Sequence, residues 1–370
     1  MQFAVIEYSS KTGRIWKHTP ARPNYLSDPQ REIDPTSFGC YVSALAGEHV
    51  PLIGMITGDI NPVSSLTRFT RRVIKKLTGA WPQTYDISYL KKFDTIMLVH
   101  QLSDAHEIAA FAKRLRQLYP HIFILGVPTQ PYGILKAHLE NQPHERQTFI
   151  EYMNACDLFL TVVKDTQAWY ESMARKPVVY LPQIYPAHYA SQFFKPRSHK
   201  QKALFVAGVT ERDNIAEGQR LTAALQRQFP EYIIRVTKIP GLKLDLSALA
   251  GARYEVVEFA QWREHLPFLA EQMLVINTDY LFTRGRVQVD CAAVGTPSLG
   301  ANSDGQTDLF PALAGGPHLP IEKLEPLARK LLTDKVYYQQ ITDQARDKLQ
   351  KYDYEESAVR LQLLVKQYRS

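Results

Sequence analysis

Residues 280–297 bring together side chains and turns that suit a phosphorylated ligand. They close with a Gly-Thr-Pro turn and carry, in order, Thr283, Arg284, Gly285, Arg286 and Asp290. This order predicts a glycine-containing turn that leads into a short helix with one carboxylate inside it. A helix start presents backbone N–H groups without intrahelical partners and the positive end of the helix dipole, and both suit a phosphate group.

This segment resembles the donor-binding segment of retaining GT-B glycosyltransferases, the group related to sucrose synthase and to bacterial lipopolysaccharide and mannosyl transferases. In that family a turn and a helix carry two glutamates with seven residues between them, followed by a Gly-Thr-Pro turn. Aligning on residues 295–297 places Asp290 where the second glutamate holds the nucleotide ribose, and Phe282 where the first contacts sugar hydroxyls. The nucleotide contacts that the resemblance implies are Thr283, Gly285, Arg286 and Asp290.

Three further segments have the order and spacing of the same family. Residues 155–182 resemble the last unit of the N-terminal domain, residues 204–215 the opening of the donor domain, and residues 301–309 the segment beside the nucleotide. The resemblance implies two Rossmann-like, doubly wound α/β domains that face a cleft, with a C-terminal helix that crosses back to the first domain. It also implies a nucleotide diphosphate sugar as donor substrate without a separate cofactor. We expect no metal, because no paired-acid site is evident.

The basic residues that the family places after the opening strand of its second domain are missing here. There an arginine and a lysine neutralise the donor diphosphate, whereas the aligned positions of this chain hold Gly208 and Asp213. Because charge that develops in a transition state needs preorganised positive partners, other cations must replace them. The first replacements are Arg284 and Arg286, at the start of the predicted helix, and we assign a catalytic role to Arg284 because its fork of donors fits a phosphate. The further candidates are Arg212 and Lys238.

Each of these assignments has an alternative that the sequence leaves open. The arginines could be solvated surface residues, and Asp290 could be a helix carboxylate that pairs with a neighbouring arginine. Phe282 in place of the first glutamate implies an unusual sugar, a hydroxyl held by other groups, or no transfer at all.

His100 is the second predicted catalytic residue. It ends a strand-like apolar run, and the carboxyl edge of a parallel sheet is where open α/β folds bind their ligands. This histidine could therefore contact the acceptor or the sugar. A single histidine at a strand end is also often a core residue, and that alternative stays open.

Apolar strand-like runs alternate with amphipathic stretches, a pattern typical of doubly wound α/β domains, and 370 residues suffice for two of them. We predict an acceptor-side domain over residues 1–190, completed by a C-terminal helix at about residues 354–370, and a donor-binding domain over residues 200–350. Residues 182–202, rich in proline and aromatic residues, connect them. A helix starts at Asp34-Pro35. The predicted strands are residues 3–6, 52–56, 95–100, 122–127, 158–162, 178–181, 203–207, 232–236, 256–259 and 274–277.

Composition places the protein among globular proteins, with 45% hydrophobic and 22% charged residues. No apolar run reaches the roughly 18 residues that a membrane span needs. The N-terminus has no basic leader, and the three cysteines lack metal or redox spacing. These features favour a cytoplasmic protein with reduced core thiols.

Residues 65–79 carry five positive charges and no acid, and their apolar residues fall on one helical face. This is typical of a helix that lies on an anionic membrane surface, which would make the protein peripheral on the inner face of the membrane. An ordinary surface helix whose apolar face packs on its own sheet explains the pattern equally well. Nucleic acid is a third and weaker interpretation of the net charge of +7, since no recognised reader motif is present.

Together these features predict an enzyme, a hexosyltransferase that moves a sugar from a nucleotide diphosphate sugar to a glycan or lipid-linked acceptor, with retention. The main alternative is a catalytically silent GT-B protein that binds a nucleotide, a sugar or a protein partner. Phe282, Gly208 and Asp213 favour that alternative. A sugar phosphorylase or nucleotide-sugar epimerase on the same fold also stays open.

Overall fold

The structure, a computed structural model, describes most of the chain. The described residues are 1–7, 38, 40–52, 55, 64–78, 86–102, 105–208, 214–241, 243–283, 285–300, 303–315 and 321–369, with the backbone alone at 68, 304 and 321. They form two compact units. The first comprises residues 1–130, 134–184 and 354–370, and the second residues 131–133 and 185–353. The predicted helix start at Asp34-Pro35 lies outside the described residues.

The first unit contains a six-stranded parallel sheet in the order β2-β1-β3-β4-β5-β6. Its strands are β1 (Phe3–Glu7), β2 (Glu48–Pro51), β3 (Thr95–His100), β4 (Phe123–Pro128), β5 (Leu158–Thr161) and β6 (Val178–Tyr180). β1, β3 and β4 are buried along their whole length, as expected for parallel strands covered on both faces.

The described α-helices of this part of the chain lie between β1 and β6 in sequence. They are α1 (Cys40–Ala44), α2 (Ser65–Thr78), α3 (Ala105–Leu118), α4 (Tyr132–Asn141), α5 (Pro143–Ala155) and α6 (Gln167–Glu171). Ile6 and Leu98 of the sheet share one core with Ile108 of α3 and Phe149 of α5.

The strand predicted at residues 52–56 is wrong. β2 ends at Pro51, and both Leu52 and Met55 are helical and fully buried. A short buried apolar run does not by its periodicity distinguish a strand from a buried helical turn. The register decides the matter, because Glu48 to Pro51 pair with Ala4 to Glu7 of β1.

The second unit contains a five-stranded parallel sheet in the order β11-β10-β7-β8-β9. Its strands are β7 (Ala203–Ala207), β8 (Ile233–Lys238), β9 (Tyr254–Glu258), β10 (Leu274–Asn277) and β11 (Ser298–Leu299). Its helices are α7 (Ala187–Ala190), α8 (Ile215–Gln228), α9 (Trp262–Glu271), α10 (Arg286–Val294), α11 (Asp304–Leu309), α12 (Ile321–Thr333) and α13 (Lys335–Leu349). β11, only two residues long, was not predicted.

The last helix, α14 (Tyr354–Arg369), belongs to the first unit, where it packs against α1. The Arg369 guanidinium lies 3.5 Å from Asp94 and donates to the carbonyl of His121 at 3.4 Å, so the end of the helix is tied to this unit. The predicted return of the C-terminal helix is therefore confirmed. No helix in the described part of the chain is long and apolar enough to cross a membrane.

Candidate functional site

The sheet of the second unit reverses its strand order between β7 and β10. From β7 the chain proceeds outward to β8 and β9, and then returns to place β10 on the opposite side of β7. Ligands of open α/β sheets bind at the carboxyl ends of the strands beside such a reversal. Here those ends are Gly208, which has a φ of 106°, and Asn277. The left-handed backbone at 208 explains why a glycine stands where the GT-B family has a cation.

Three buried polar residues, Asn277, Thr278 and Asp279, form the turn after β10. The Thr278 hydroxyl donates to the carbonyl of Asn214 at 2.8 Å, which ties the turn to the start of α8. The Asn277 side-chain oxygen accepts from the Asp279 N–H at 3.0 Å, and an Asp279 carboxylate oxygen accepts from the Leu281 N–H at 2.8 Å. These bonds define the path of the backbone into the predicted ligand-binding segment.

Phe282 has a φ of 53°, in the left-handed region that bulky side chains rarely occupy. Its ring meets the ring of Tyr132 edge-on, with the centroids 5.6 Å apart, and the neighbouring Leu281 carbonyl accepts from the Gly133 N–H at 2.8 Å. The position where the family has a sugar-binding glutamate thus holds an aromatic residue in a strained backbone. Backbone strain of this kind concentrates at functional sites.

The start of α10 is shaped by a close approach of two glycines. Gly285, the residue before the helix, has a φ of 76°, and a Cβ at this position would lie 2.6 Å from the backbone nitrogen of Gly305 in α11. A parallel bridge between Thr283 and Ser303 holds the same two segments together. Gly285 has no side chain to cap the helix, and the first-turn N–H groups have no intrahelical acceptors.

Gln288 lies in this first turn and is 1% exposed. Neither its amide nitrogen nor its amide oxygen has a hydrogen-bond partner among the residues that the structure describes. Buried side-chain amides are normally hydrogen-bonded, so an unpaired one next to a helix start indicates a missing partner. Gln288 was not among the residues predicted from the sequence.

Asp290 is 2% exposed and lies two residues after Gln288 in α10. One of its carboxylate oxygens accepts from the Tyr185 hydroxyl at 2.7 Å and from the Trp262 indole N–H at 2.8 Å. Burial, followed by the charge of Asp290, raises the pKa of the Tyr185 phenol well above its usual range. Asp290 therefore joins α10 to α9 and to the chain just before α7, and its predicted contact with a nucleotide ribose stays a prediction.

Two of the other predicted cations lie in the described part of the second unit. Arg286 begins α10 and is half-buried; its charge and, to a larger extent, burial lower the pKa of His265 in α9 to about 4. Lys238 is exposed at the carboxyl end of β8, next to β7 in the sheet. Arg284, Arg212 and Asp213 lie outside the described residues.

His100 belongs to the other unit. Its ring is fully buried against Phe149, at 4.8 Å between centroids, and against Tyr152, at 5.1 Å. Its two nitrogens have no hydrogen-bond partner among the described residues, and burial lowers its pKa to about 3. The imidazole is therefore neutral near pH 7, and its predicted catalytic role stays a prediction.

The structure thus places four of the predicted residues, Thr283, Gly285, Arg286 and Asp290, on one short segment of the second unit. Lys238 lies in the same unit, at the carboxyl end of β8. The polar turn at residues 277–279 was missed, although the rule that singled out His100, a polar residue after a buried strand, applies to it equally. Within the described ranges, no group of three or more His, Cys, Asp or Glu residues could hold a metal ion.

Several solved structures resemble this chain. No protein-family model and no curated protein matches it. A sucrose-phosphate synthase from Thermosynechococcus elongatus has a TM-score of 0.60 at 15% identity, covering 87% of this chain and 84% of that one. An alpha,alpha-trehalose 6-phosphate synthase from Burkholderia multivorans has a TM-score of 0.62 at 10% identity, covering 99% and 96%.

A structure of S. aureus MnaA with UDP has a TM-score of 0.53 at 14% identity, covering 100% of this chain and 97% of that one. These matches cover 84% to 100% of the chains compared, so the likeness includes both units. The two parallel sheets, each with helices in its unit, and the solved structures that match this chain agree with the resemblance seen in the sequence. The chain has the GT-B fold of glycosyltransferases.

Proposed function

We propose that the protein is a hexosyltransferase that uses a nucleotide diphosphate sugar as donor and a glycan or lipid-linked compound as acceptor. The observation that carries the proposal is the first turn of α10, where Gly285 provides no side-chain cap and the buried Gln288 amide has no described partner. A sugar diphosphate supplies both an anion for the helix start and hydroxyls for an amide. The UDP in the MnaA structure makes a uridine nucleotide the first donor to test.

The proposed reaction proceeds with retention and without a dedicated base. The acceptor hydroxyl attacks the anomeric carbon on the face from which the diphosphate departs, and a phosphate oxygen takes the hydroxyl proton. The protein then contributes position and electrostatic stabilisation. The helix start, Arg286, Lys238 and Arg284 supply the positive field for the leaving group, and the proposal requires neither a metal nor a separate cofactor.

The test of the donor site compares diphosphate with nucleoside. Isothermal titration of UDP and uridine into wild type and Arg284→Ala should show a loss of about 1.5 to 3 kcal/mol for UDP alone, the range for hydrogen bonds to charged groups. Arg329→Ala is the matched control, because Arg329 is an exposed arginine of α12 paired with Glu325. An equal loss for both ligands would make Arg284 a scaffold residue.

A second candidate function, nucleotide or sugar binding without transfer, is favoured by two specific observations. Phe282 replaces the sugar-binding glutamate and packs on Tyr132, and the Asp290 oxygen already accepts two hydrogen bonds from the protein. Incubation of the purified protein with UDP-sugars distinguishes the two functions. Release of UDP supports the transferase, whereas a thermal shift with UDP and no turnover with any sugar supports the silent binder.

We also propose that α2 places the first unit on an anionic membrane surface. The apolar residues of this helix are not packed on the sheet: Leu66, Phe69 and Leu77 are 73%, 65% and 79% exposed. Arg72 and Lys76 are exposed beside them. Arg71, another of the five basic residues of this segment, is buried.

Sedimentation with vesicles of phosphatidylserine and phosphatidylcholine tests this surface. Arg72→Gln combined with Lys76→Gln should weaken binding by about 1 kcal/mol per charge. Lys91→Gln combined with Lys176→Gln removes the same charge from other exposed positions of the first unit and should have a smaller effect. If both double variants sediment like wild type, α2 is not a membrane-binding helix.

A further inference from the structure

Two histidine rings meet at the surface of the first unit, where α3 and α5 begin. His106 lies in the first turn of α3 and His144 in the first turn of α5, and both residues are exposed. Their ring centroids are 5.2 Å apart, and the ring planes are tilted by 42°. The sugar transfer proposed above uses neither ring, and the donor segment at residues 283–290 belongs to the other unit. The pair is therefore accessible to a separate ligand.

The two helices that carry these rings are positioned by the core of the unit. α3 and α5 pack against each other, and Ile108 of α3 and Phe149 of α5 belong to the same buried cluster. The packing of the two helices therefore sets the distance between the rings. A ligand that needs both rings finds them already close together, which lowers the entropy cost of binding.

Thr148 fixes the tautomer of His106. This threonine is 8% exposed, and its hydroxyl donates to the His144 carbonyl at 3.2 Å. A hydroxyl has a single proton, so the same oxygen acts as the acceptor toward Nδ1 of His106, at 3.4 Å. His106 then carries its proton on Nδ1 and has its lone pair on Nε2. Histidines that bind a metal are oriented in this way, through a hydrogen bond from the ring nitrogen that does not contact the ion.

We propose that His106 and His144 together bind a divalent transition-metal ion of the kind that prefers imidazole, represented by Zn²⁺. With metal–nitrogen bonds of about 2.1 Å, two imidazoles on one ion have their centroids roughly 4.5 to 5.5 Å apart, and the observed spacing lies in this range. Water completes the coordination, because the described residues contain no group of three His, Cys, Asp or Glu that could hold a metal. Mg²⁺ and Ca²⁺ prefer oxygen ligands and do not fit.

The surroundings of the pair supply negative charge. A cation at two helix starts meets the positive ends of both helix dipoles. Glu107 and Glu145 lie in the same first turns and offset this effect. Both carboxylates pair with other side chains of the protein, Glu107 with Lys75 and Glu145 with His138. They therefore act as nearby charges and are not counted as ligands.

Isothermal titration of Zn²⁺ into protein without a histidine tag tests the site. His106→Ala and His144→Ala should each weaken the binding of one Zn²⁺ per chain at least tenfold, because one of the two imidazoles is lost. His121→Ala is the matched control and should bind like wild type, since His121 is also exposed in the first unit but its ring meets Tyr119. A wild type that binds no Zn²⁺, unchanged affinity in the two pair variants, or equal weakening in all three overturns the proposal.

Thr148 provides a test that an adventitious surface site would not pass. Thr148→Val removes the acceptor of the His106 ring and should weaken Zn²⁺ binding about tenfold, whereas Thr148→Ser keeps the hydroxyl and should bind like wild type. Zn²⁺ should also raise the unfolding temperature of wild type more than that of His106→Ala, because an ion that binds the folded form stabilises it. Equal affinity of Thr148→Val and wild type overturns the positioning role of Thr148. Equal thermal shifts of wild type and His106→Ala overturn the site itself.

Discussion

His100 of the first unit and Asp290 of the second are both buried, but their polar surroundings are opposite. In the first unit His100, at the end of β3, is packed between aromatic rings and has no partner among the described residues. In the second unit Asp290 accepts from two side chains, and the buried Lys200 ammonium donates to the Ala270 and Val294 carbonyls and to the Thr296 hydroxyl. Gln288, also in the second unit, is buried without a described hydrogen-bond partner.

The presence or absence of hydrogen-bond partners distinguishes buried residues that stabilise the fold from those that are available to a ligand. A buried group whose hydrogen bonds are all made within the protein stabilises the fold, and removing one partner leaves the others unsatisfied. A buried group without partners contributes no hydrogen bond to the fold. At a helix start, as with Gln288, the missing partner is expected to be a ligand. Inside an aromatic cluster, as with His100, the group is a neutral ring that packs.

The largest effect is expected at Asp290. The alignment alone predicts that Asp290→Ala weakens nucleotide binding and leaves the fold intact. The structure predicts a loss of about 3 to 5 kcal/mol in the free energy of unfolding of the second unit, because the Tyr185 hydroxyl and the Trp262 N–H lose their buried acceptor. Urea unfolding followed by tryptophan fluorescence measures it. Asp290→Asn retains an acceptor oxygen and should lose less. Equal stability of wild type and Asp290→Ala would contradict the scaffold role.

The buried Lys200 should make the free energy of unfolding of the second unit depend on pH. Burial, together with the nearby charge of Lys195, lowers its pKa to about 7, whereas an unfolded lysine titrates near 10.4. Between these values the unfolded chain holds the extra proton, so the stability of the unit rises with pH. The rise should be on the order of 2 kcal/mol between about pH 7.5 and pH 9. Lys200→Met should remove it, and parallel pH profiles for variant and wild type would refute the assignment.

In the first unit His100 should likewise make stability rise with pH, here in the acid range. Its native pKa of about 3 lies below the usual value of 6.5, so the unfolded chain binds the proton first and stability falls as the pH drops. From about pH 7.5 to pH 5 the loss attributable to His100 is roughly 2 kcal/mol. His100→Phe should remove this part of the slope and keep sugar transfer. Loss of transfer with an intact fold would instead support the predicted catalytic role.

The smallest effect is expected at Gln288, and a second buried glutamine makes it interpretable. Gln219 of α8 is also 1% exposed, but its amide donates to the Asp245 carbonyl at 2.9 Å. Gln288→Met should leave stability almost unchanged and weaken UDP binding by about 1 kcal/mol, whereas Gln219→Met should lower stability by about as much and leave affinity unchanged. The reverse pattern would remove Gln288 from the donor site.

Much of the fold was predictable from local patterns. Buried apolar runs identified β3, β7 and β10 closely. The errors occurred where local pattern is ambiguous. Leu52 and Met55 belong to an apolar run that could form either a strand or a helical turn, and β11 is too short to have a period. Pairing with neighbouring strands determined where β2 ends and that β11 is a strand.

The sequence by itself determined the GT-B architecture and the segment at residues 283–290, because periodicity, glycine turns and family spacing are local properties of a chain. It did not determine which polar side chains are scaffold and which are available to a ligand. The partners of Asp290 are distant in sequence, at Tyr185 and Trp262, and Gln288 stands out only because its surroundings supply no described partner. Hydrogen bonding between distant residues is decided when the helices pack, so only the tertiary structure could separate the two roles.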